Sequence, residues 1–534
     1  MQSEYDAIVI GSGHNGLTCA CYLAKAGLRV LVLEKYHSIG GMTNTEEVTL
    51  PGFQSDTHAI CIQFANFSPV PDELGLDRYG YELLHPEPCW SHAFADGRSI
   101  TVHRDLDQTC QNIAQHSQKD AITWHRLYQS FLEQKDAICA SFNSPPRSFA
   151  EQTALLDSPT GLDQYRFQMQ SLRSWCNETF EAEETKCLMA AWGVHVGVSP
   201  DDVGGGSASW LFSMVIQHFG NNTVKGGMRH LPLSLARFLE AHGGKIRVNA
   251  QVKRILVEDE KAVAVELLDG EKIRSRKLIA SSAHPRHLVL DLIGEKQIGA
   301  NIANKIRLYE LGESVMVIYL ALDCPPSYKA GAEVGQSVYV HPSPTSLEHF
   351  SRNFAETREG LLPSEPFALI CNDAAGDATR VPPGKGLMKL VVQPVPYVIE
   401  GDASGQIKGR NWNDVKELFA DRVIGHLARD YIPDLHDRIV KRVVHSPHDI
   451  GRMLPSALEG TNSHGAFVPY QVGPMRPIPE LGNYRSPIDN IYLCGSGSHP
   501  GPGVTMAPGR NAARVIYEDF GLNFTEATCT VDTQ

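Results

Sequence analysis

The sequence predicts an α/β fold in which a Rossmann-type domain is interleaved with a second, α+β domain built from an antiparallel sheet and helices. Three stretches predict it. Residues 7–34 read as strand, helix and strand around closely spaced glycines. Strand patterns return at 245–281, and a strand, a glycine-rich loop and a helix follow at 490–520. The 534 residues exceed what one hydrophobic core usually organises, so we expect two connected domains.

The N-terminal strand–helix–strand unit carries a dinucleotide-binding motif. Gly11, Gly13 and Gly16 follow a buried apolar strand at GxGxxG spacing. We expect Gly11 to form the turn into the helix, Gly13 to leave room for a pyrophosphate, and Gly16 to let the helix pack against the strand. Glu34 ends the second strand 23 positions after Gly11, where a carboxylate binds ribose hydroxyls. A glycine-rich turn in an unrelated α/β fold is the alternative, but such a turn does not require all these parts in this order.

The glycine motif alone fits NAD as well as FAD. The pair Gly40-Gly41 follows soon after Glu34 and gives the backbone a second close approach to a dinucleotide, which is a feature of large flavoproteins. We therefore expect FAD as the cofactor.

Composition and charge exclude several classes of protein. The formal net charge of −13 argues against binding of nucleic acid or anionic membranes through bulk charge, although a local basic patch stays open. The 12 cysteines form no CxxC pair, Met1–Tyr5 is too short and polar for a secretory signal, and no apolar run reaches the ~20 residues of a spanning helix. We expect a cytoplasmic protein with reduced thiols. Peripheral association with a membrane and the oligomeric state stay open.

A second domain is expected in the middle of the chain. Residues 80–104 predict antiparallel strands, and residues 105–200 read as helical. We interpret Gly204–Gly206 as a flexible turn. Residues 300–480 predict further antiparallel strands and an amphipathic helix at 412–431.

The chain passes between the two domains several times. After 225–228 it returns to the first domain, where a hairpin ends in the strand 272–276 and a separate buried strand follows at 278–281. The predicted boundaries are 1–80, 220–298 and 485–522 for the dinucleotide-binding domain, 81–219 and 299–484 for the substrate domain, and 523–534 for a frayed C-terminal tail.

The last predicted strand, 490–494, leads into a loop rich in glycine, from Gly495 to Gly509, and then into a helix. The glycine density has no evident packing purpose, so we interpret the loop as a second contact with the cofactor. The N-terminus of the helix offers amides that stabilise negative charge on a reduced flavin. A plain strand–loop–helix crossover is the alternative.

Two histidines are candidate catalytic groups. His58 approaches the reactive end of the cofactor in the expected fold, although a hydrogen bond within a loop is the commoner role for such a residue. His499 lies in the glycine-rich loop and is the histidine nearest a flavin motif; packing or a backbone hydrogen bond is its alternative role. Paired carboxylates, a Ser-His-Asp set and a His/Cys cluster with metal-ligand spacing are all missing from the sequence, so we expect no metal site.

Taken together, these motifs resemble the FAD oxidoreductases related to bacterial phytoene desaturase. Within that superfamily the chain is most similar to the branch that holds the cyanobacterial-type β-carotene ketolase and the animal pyridine nucleotide-disulphide oxidoreductase domain-containing protein 2. The resemblance spans nearly the full chain and is most specific at its two ends. It is carried by residues 10–17, 33–35, 40–41, 225–228, 476–480, 490–494, 498–501 and 508–512.

The resemblance implies an amine-oxidase/phytoene-desaturase-like fold and a non-covalent FAD. It implies that the backbone of Val252 contacts adenine and that residues 503–507 lie along the flavin. The motifs and the resemblance together predict sixteen cofactor-binding residues, which are Gly11, Ser12, Gly13, His14, Asn15, Gly16, Glu34, Lys35, Gly40, Gly41, Met42, Val252, Gly495, Gly503, Val504 and Thr505.

The resemblance also implies a reaction. Members of the superfamily remove hydride from long apolar polyenes or oxygenate them. We therefore expect an FAD-dependent oxidoreductase of the desaturase or ketolase type, which passes hydride from an apolar, carotenoid-like small molecule to the flavin. Two alternatives stay open: a flavin amine oxidase, and a lipid-binding or regulatory protein that keeps the fold without redox chemistry.

Overall fold

The computed structural model describes residues 4–59, 62–154, 156–343 and 346–528. Two seven-stranded sheets organise this part of the chain. The first sheet holds the N-terminal glycine motif at its edge, and the second is built from strands between residues 90 and 445.

The first sheet is parallel at its centre and antiparallel at one side. In sheet order its strands are Val252–Glu258, Lys261–Leu267, Lys272–Ser281, Glu4–Ile10, Val30–Leu33 and Lys245–Arg247, with Ile491–Leu493 paired to Lys272–Ser281. Ala7–Ile10 pairs in parallel with residues 30–33 on one side and with 278–281 on the other. The glycine motif therefore starts at the carboxyl edge in the middle of the sheet, where open α/β sheets bind ligands.

Alternate residues of the central strand pack into opposite layers. Ala7 and Val9 face the helices, which are His14–Lys25, His230–Ala241 and Ala507–Asp519. Ile8 and Ile10 face the other side, where the π-helix His287–Ile293 packs. Burial on both faces explains why this strand is an uninterrupted apolar run in the sequence.

Lys272–Ser281 is one continuous strand, and the prediction of two separate strands is wrong. Residues 272–274 pair antiparallel with Lys261–Leu267, and residues 279–281 pair in parallel with Ile491–Leu493. The polar residues 274–277 suggest a break in the sequence. They are exposed or half-buried, because this part of the strand leaves the covered centre of the sheet.

The second sheet is antiparallel except at one pairing. In sheet order its strands are Ile439–His445, Ser314–Leu322, Gly386–Val395, Ala368–Cys371, Tyr339–Ser343, Trp90–Phe94 and Ser99–Val102. Tyr339–Ser343 runs parallel to Trp90–Phe94, so a hairpin from early in the chain completes a sheet built mostly from later residues.

Both faces of the second sheet are covered by helices. Trp412–Asp430 packs on one face, against Ile318 and Leu390. The opposite face holds Val317 and Val391 and is covered by the helical region between residues 106 and 219. The helices of that region are Leu106–Ala114, Gln118–Phe142, Phe149–Ala154, Pro159–Met169, Leu172–Thr179, Glu183–His195 and Gly205–Phe219.

The interpretation of Gly204–Gly206 as a flexible turn is wrong. Gly204 has φ +88° and forms the N-cap of a helix that begins at Gly205. A Cβ on Gly206 would lie 2.9 Å from Cβ of Trp175, so the glycine allows this helix to pack closely against its neighbour.

The remaining elements are short apart from one helix, and they connect or cover the two sheets. The helices among them are Val70–Leu74, Glu295–Ile298, Ala300–Arg307, Ala332–Gln336, Leu347–Arg358, Asp373–Gly376, Leu435–Arg438, Pro447–Met453 and Phe524–Thr528. Three two-stranded pairings join Thr45–Glu46 to Ser55–Asp56, Leu83–Leu84 to Thr223–Val224, and Leu361–Leu362 to Gly401–Asp402.

The described part of the C-terminal tail is packed rather than frayed. The ring of Phe524 lies 5.6 Å from that of Tyr22 and 5.2 Å from that of Tyr517, centroid to centroid. Residues 529–534 lie outside the described ranges, and the domain boundaries stay a prediction. In the described ranges no helix has both the length and the apolar character that crossing a membrane requires.

Candidate active site

Two adjoining cavities lie between the glycine motif and the second sheet. The larger one, about 370 Å³, runs along the carboxyl edge of the first sheet, and we call it the cofactor cavity. The smaller one, about 140 Å³, is called the inner cavity. The two meet at a junction whose residues line both cavities, which are His14, Met42, His58, His464 and Ser496.

The three glycines of the motif have three different surroundings. Gly11 has φ +95° at the turn from strand to helix. A Cβ on Gly16 would lie 2.2 Å from the carbonyl oxygen of Gly11, so only glycine allows this contact. At Gly13 no heavy atom of the other described residues, its chain neighbours apart, lies within 4 Å of the Cβ position, and the residue lines the cofactor cavity. This open position beside the N-terminus of a 12-residue helix suits a diphosphate.

Glu34 lies in the cofactor cavity with its carboxylate held by three donors. Oε2 accepts hydrogen bonds from Ser12 N at 2.8 Å and from Ser12 Oγ at 2.7 Å, and Oε1 accepts one from Tyr36 N at 2.8 Å. Lys35 also lines this cavity, whereas Ser12 does not. The carboxylate is therefore fixed in orientation where ribose hydroxyls would donate to it.

The second glycine pair lies directly behind the first motif. Gly40 N donates to Ser12 O at 3.0 Å, and a Cβ on Gly41 would lie 3.5 Å from Cα of Gly13. Gly41 and Met42 line the cofactor cavity, but Gly40 does not. Val252 lines it as well. Its segment lies close to Glu34, since Ala250 N, two residues earlier, donates to Glu34 O at 2.7 Å.

The C-terminal glycine-rich loop meets the N-terminal motif at the junction. Asn15 Nδ2 donates to Ser496 Oγ at 2.9 Å. Gly495 lines the cofactor cavity, and Gly503 and Val504 line the inner cavity. Thr505 lines neither of them. Its Oγ1 accepts a hydrogen bond from Ala507 N, at the start of the last long helix, at 3.1 Å.

The glycine density of this loop does serve packing, contrary to the expectation from sequence. A Cβ on Gly495 would lie 2.5 Å from the carbonyl oxygen of Ser282, and one on Gly509 would lie 2.1 Å from that of Asn15. Gly509 is thus the point where the last long helix crosses the first one closely. Only part of the loop, at 495–496 and 502–504, lines the cavities.

His499 lies outside both cavities. Its Nε2 lies 2.9 Å from the carbonyl oxygen of Ser141. The sequence puts it beside a flavin motif, but the ring turns outward to a neighbouring helix. Its alternative role, a hydrogen bond to the backbone, is the one that the geometry supports.

His58 lies at the junction and lines both cavities. Burial lowers its pKa to about 3, with further lowering by the charges of Lys389 and His445. The ring is therefore neutral at physiological pH. Lys389 is itself buried and donates to the carbonyl oxygen of Asp56 at 2.7 Å, which fixes its charge two residues from His58.

Besides His58, five histidines line these cavities, which are His14, His195, His284, His287 and His464, and sequence reasoning did not single them out as catalytic. Burial lowers the pKa of His14, His195 and His464 to about 4 in each case. Their atoms His14 Nε2, His195 Nδ1 and His464 Nδ1 are buried without a hydrogen-bond partner among the described residues. Such groups are uncommon in folded proteins and accumulate where ligands bind.

The backbone at His464 is held in an uncommon conformation. Its φ is +51°, its carbonyl oxygen accepts a hydrogen bond from Tyr309 Oη at 2.8 Å, and a Cβ on Gly465 would lie 1.8 Å from the same hydroxyl. Non-glycine residues with positive φ often occur at functional sites. The only local signal in the sequence is the glycine that follows the histidine.

The inner cavity is uncharged and mostly apolar, although Gln63, Asn462 and four histidines also line it. Among its lining residues are the side chains of Phe64, Phe212, Val391 and Phe467. No Asp, Glu, Lys or Arg belongs to the described residues that line it. In the described ranges, groups of three or more His, Cys, Asp or Glu that could hold a metal ion are also missing.

Three known proteins are similar to this chain over nearly its full length. A limonene dehydrogenase subunit from Castellaniella defragrans is 30% identical over 97% of this chain and 96% of its own. Pyridine nucleotide-disulfide oxidoreductase domain-containing protein 2 from Mus musculus is 28% identical over 97% of this chain and 94% of its own. The phytoene desaturase (lycopene-forming) of Pantoea ananas is 24% identical over 96% of this chain and 99% of its own.

Solved structures confirm the fold. An oxidoreductase from Methanosarcina mazei superposes with a TM-score of 0.61 at 17% identity, covering 97% of this chain and all of the other. Cyclohexylamine oxidase from Brevibacterium oxydans superposes with a TM-score of 0.56 at 15% identity, covering 97% of this chain and all of the other. The family model of the flavin containing amine oxidoreductases matches residues 16–516. The chain therefore belongs to this family and is an FAD-dependent oxidoreductase related to the carotenoid desaturases.

Proposed function

We propose that the chain is a dehydrogenase of the desaturase type, which transfers hydride from an apolar polyene or related isoprenoid hydrocarbon to FAD. The observation that carries the proposal is the inner cavity, which is mostly apolar, has no charged lining residue in the described ranges, and shares five lining residues with the cofactor cavity. An apolar substrate gains about 25 cal/mol for each Å² that it buries in such a space. The names of two relatives support this class, since limonene and phytoene are apolar hydrocarbons.

FAD fits the cofactor cavity on two observations. Gly13 leaves open space beside the N-terminus of the first helix, where the diphosphate would lie. Glu34 presents an oriented carboxylate to the ribose, with Val252 close to it for adenine. When bound there, FAD supplies the hydride acceptor. His58, His464 and the other junction residues would then face its reactive ring.

The protein's own side chains exclude water and accept a proton. A hydrocarbon that loses hydride becomes a cation, and it forms the alkene by losing a proton. His58 and His464 are neutral rings at the junction, and a neutral imidazole keeps a lone pair for that proton. We assign this role first to His464, because its Nδ1 has no hydrogen-bond partner in the described part of the chain and its backbone is held at φ +51°.

Anaerobic titration of the FAD-loaded protein tests the proposal. The panel contains monoterpenes, carotenoids and amines, with the fully saturated analogue of the best hydrocarbon as control, because it fills the same space without an activated hydrogen. We expect the flavin absorbance to bleach with a hydrocarbon and to persist with the saturated analogue. Bleaching by amines alone would overturn the proposal. Product analysis separates desaturation from ketolase-type oxygenation by the absence or presence of an added oxygen.

An amine oxidase is the second candidate function. It is favoured by the amine-oxidase fold of solved neighbours, which are below 25% identity and therefore speak for the fold alone. A protonated amine needs a carboxylate or a similar partner when it leaves water. The described lining of the inner cavity offers none, so we place the hydrocarbon first. Peripheral contact with a membrane, a cytoplasmic location and the oligomeric state stay predictions.

A further inference from the structure

Arg476 is a fully buried cation without a carboxylate partner. Its exposure is 0%, and its guanidinium donates to four carbonyl oxygens, those of Ser463 at 3.0 Å, Ser496 at 3.2 Å, Gln471 at 3.3 Å and Gly465 at 3.4 Å. No Asp or Glu of the described residues forms an ion pair with it.

The chain contains a second fully buried arginine, which makes the contrast clear. Arg380 pairs with Asp56 at 2.9 Å and with Asp373 at 3.3 Å. Burying a guanidinium is costly unless an opposite charge compensates it. Burial lowers the pKa of Arg476, but an arginine stays protonated in proteins. The carbonyl oxygens give Arg476 hydrogen bonds but no opposite charge, so its burial carries an electrostatic cost that the ion pairs of Arg380 offset.

The groups that face Arg476 do not supply the missing negative charge. The pKa of His284 and that of His464 are both lowered, first by burial and further by charges that include that of Arg476, so both rings are neutral. Burial raises the pKa of Tyr309, so its hydroxyl stays protonated. On the side of the inner cavity the guanidinium carbon lies 5.9 Å from the ring centroid of Phe467.

The carbonyls that bind Arg476 belong to the wall of the junction. Ser463 lines the inner cavity, Ser496 lines both cavities, and Ser463 and Gly465 flank His464. The positive charge thus lies directly behind the wall where the reactive ring of FAD would face the substrate. Its four hydrogen bonds also hold the two loops that form this wall.

We propose that Arg476 is a positioning residue that fixes the junction wall and stabilises negative charge on the group bound there. The inference rests on the proposed function. Hydride brings two electrons and one proton to the neutral oxidised ring, so the reduced ring is an anion. A buried cation behind the wall favours that anion over the neutral ring. Arg476 therefore makes the bound FAD a stronger oxidant.

The test compares two variants of the FAD-loaded protein by reductive titration against a reference dye. Arg476→Lys keeps a positive charge and loses the planar fork, whereas Arg476→Gln loses the charge and keeps two N–H donors. We expect Arg476→Gln to lower the preference for reduced over oxidised FAD about 10-fold, equal to about 30 mV for a two-electron couple. Arg476→Lys should stay closer to the wild type. An unchanged potential in Arg476→Gln, or equal losses in both variants, would overturn the electrostatic role.

A measurement on the unaltered protein keeps the proposal testable if both variants fail to fold. Sulfite adds to oxidised flavin and leaves a negative charge on the ring, so a site that favours the anion forms this adduct. We expect saturable bleaching of the wild-type holoprotein on addition of sulfite; absence of an adduct would contradict the proposal. Neither measurement needs the organic substrate. Failure here is therefore distinct from failure of the hydrocarbon assignment.

Discussion

Asn15 and Ser496 join the two ends of the chain in the wall of the cofactor cavity. Nδ2 of Asn15 donates to Oγ of Ser496 at 2.9 Å, although 481 positions separate them in the sequence. Asn15 belongs to the first turn of the helix that follows the N-terminal glycines, and Ser496 follows the last strand of the same sheet. The hydrogen bond can therefore form only after both ends of the chain have folded onto the same sheet.

Replacing Gly13 by valine should weaken cofactor binding and leave the fold intact. The residue has φ −63°, which suits any side chain, and its Cβ would point into open space. We expect the affinity for FAD to fall by roughly 100-fold, or about 2.7 kcal/mol, in calorimetric titration of the apoprotein. Gly16→Ala is the matched control, because its Cβ would meet the Gly11 carbonyl oxygen and should lower the unfolding temperature instead. Normal FAD affinity in Gly13→Val would show that the diphosphate binds elsewhere.

Replacing His464 at the junction, or His499 in the glycine-rich loop, by asparagine should affect the rate of flavin reduction differently. His464→Asn removes the proton acceptor that faces both cavities, and general acid–base groups contribute about 10²-fold or more to rate. We expect the single-turnover rate of flavin reduction to fall by that order. His499→Asn keeps a donor for the Ser141 carbonyl oxygen, so its rate should stay within about twofold of the wild type. Equal rates in the two variants would refute the role of His464.

Polarity introduced into the inner cavity should weaken substrate binding without loss of FAD. Phe212 lines this cavity and stacks edge-on against Phe64, with ring centroids 4.5 Å apart. Phe212→Asn should raise KM for a hydrocarbon about 10-fold, because an apolar contact is worth about 1–3 kcal/mol. Phe212→Leu, which keeps the surface apolar, should change KM less. If both variants bind the hydrocarbon equally well, the substrate lies elsewhere.

The buried histidines predict a loss of stability in mild acid. The pKa values of His14, His195 and His464 are lowered to about 4 by burial, whereas an unfolded histidine titrates near 6.5. The unfolded chain then binds more protons than the folded one, so this stability is complete above about pH 6.5 and is lost as the pH falls through about 4. Urea unfolding of the apoprotein across this range should show the decline. His464→Asn should flatten it by up to about 1.4 kcal/mol per pH unit; an unaltered slope would contradict the burial of a neutral ring.

The part of the site that follows local rules can be read from the sequence. The glycine spacing, the acid after the second strand and the returning strands depend on short-range geometry, and the cofactor edge of the first sheet follows from them. The continuous strand 272–281 escapes such reasoning for the opposite reason. Its exposed polar middle resembles a turn in sequence, and only its pairing with strands from three parts of the chain keeps it extended.

The substrate side of the site depends on contacts that sequence does not encode locally. His464 and Phe212 come from a loop and a helix far apart in the chain, and neither stands in a motif. His499 lies near a motif in the sequence, but that position does not determine the direction of its ring, which contacts the carbonyl oxygen of Ser141. Gly495 and Gly509 resemble ligand contacts in the sequence, although their neighbours Ser282 and Asn15 show that they also serve packing.

The central claim is that hydride passes from an apolar hydrocarbon in the inner cavity to FAD at the junction. Rapid mixing of the oxidised holoprotein with protiated and with allylically deuterated hydrocarbon, under anaerobic conditions, tests it most directly. We predict that the flavin absorbance bleaches in a single turnover and that deuterium slows the bleaching. Bleaching at the same rate with both compounds, or none with any hydrocarbon while an amine reduces the flavin, would contradict the account.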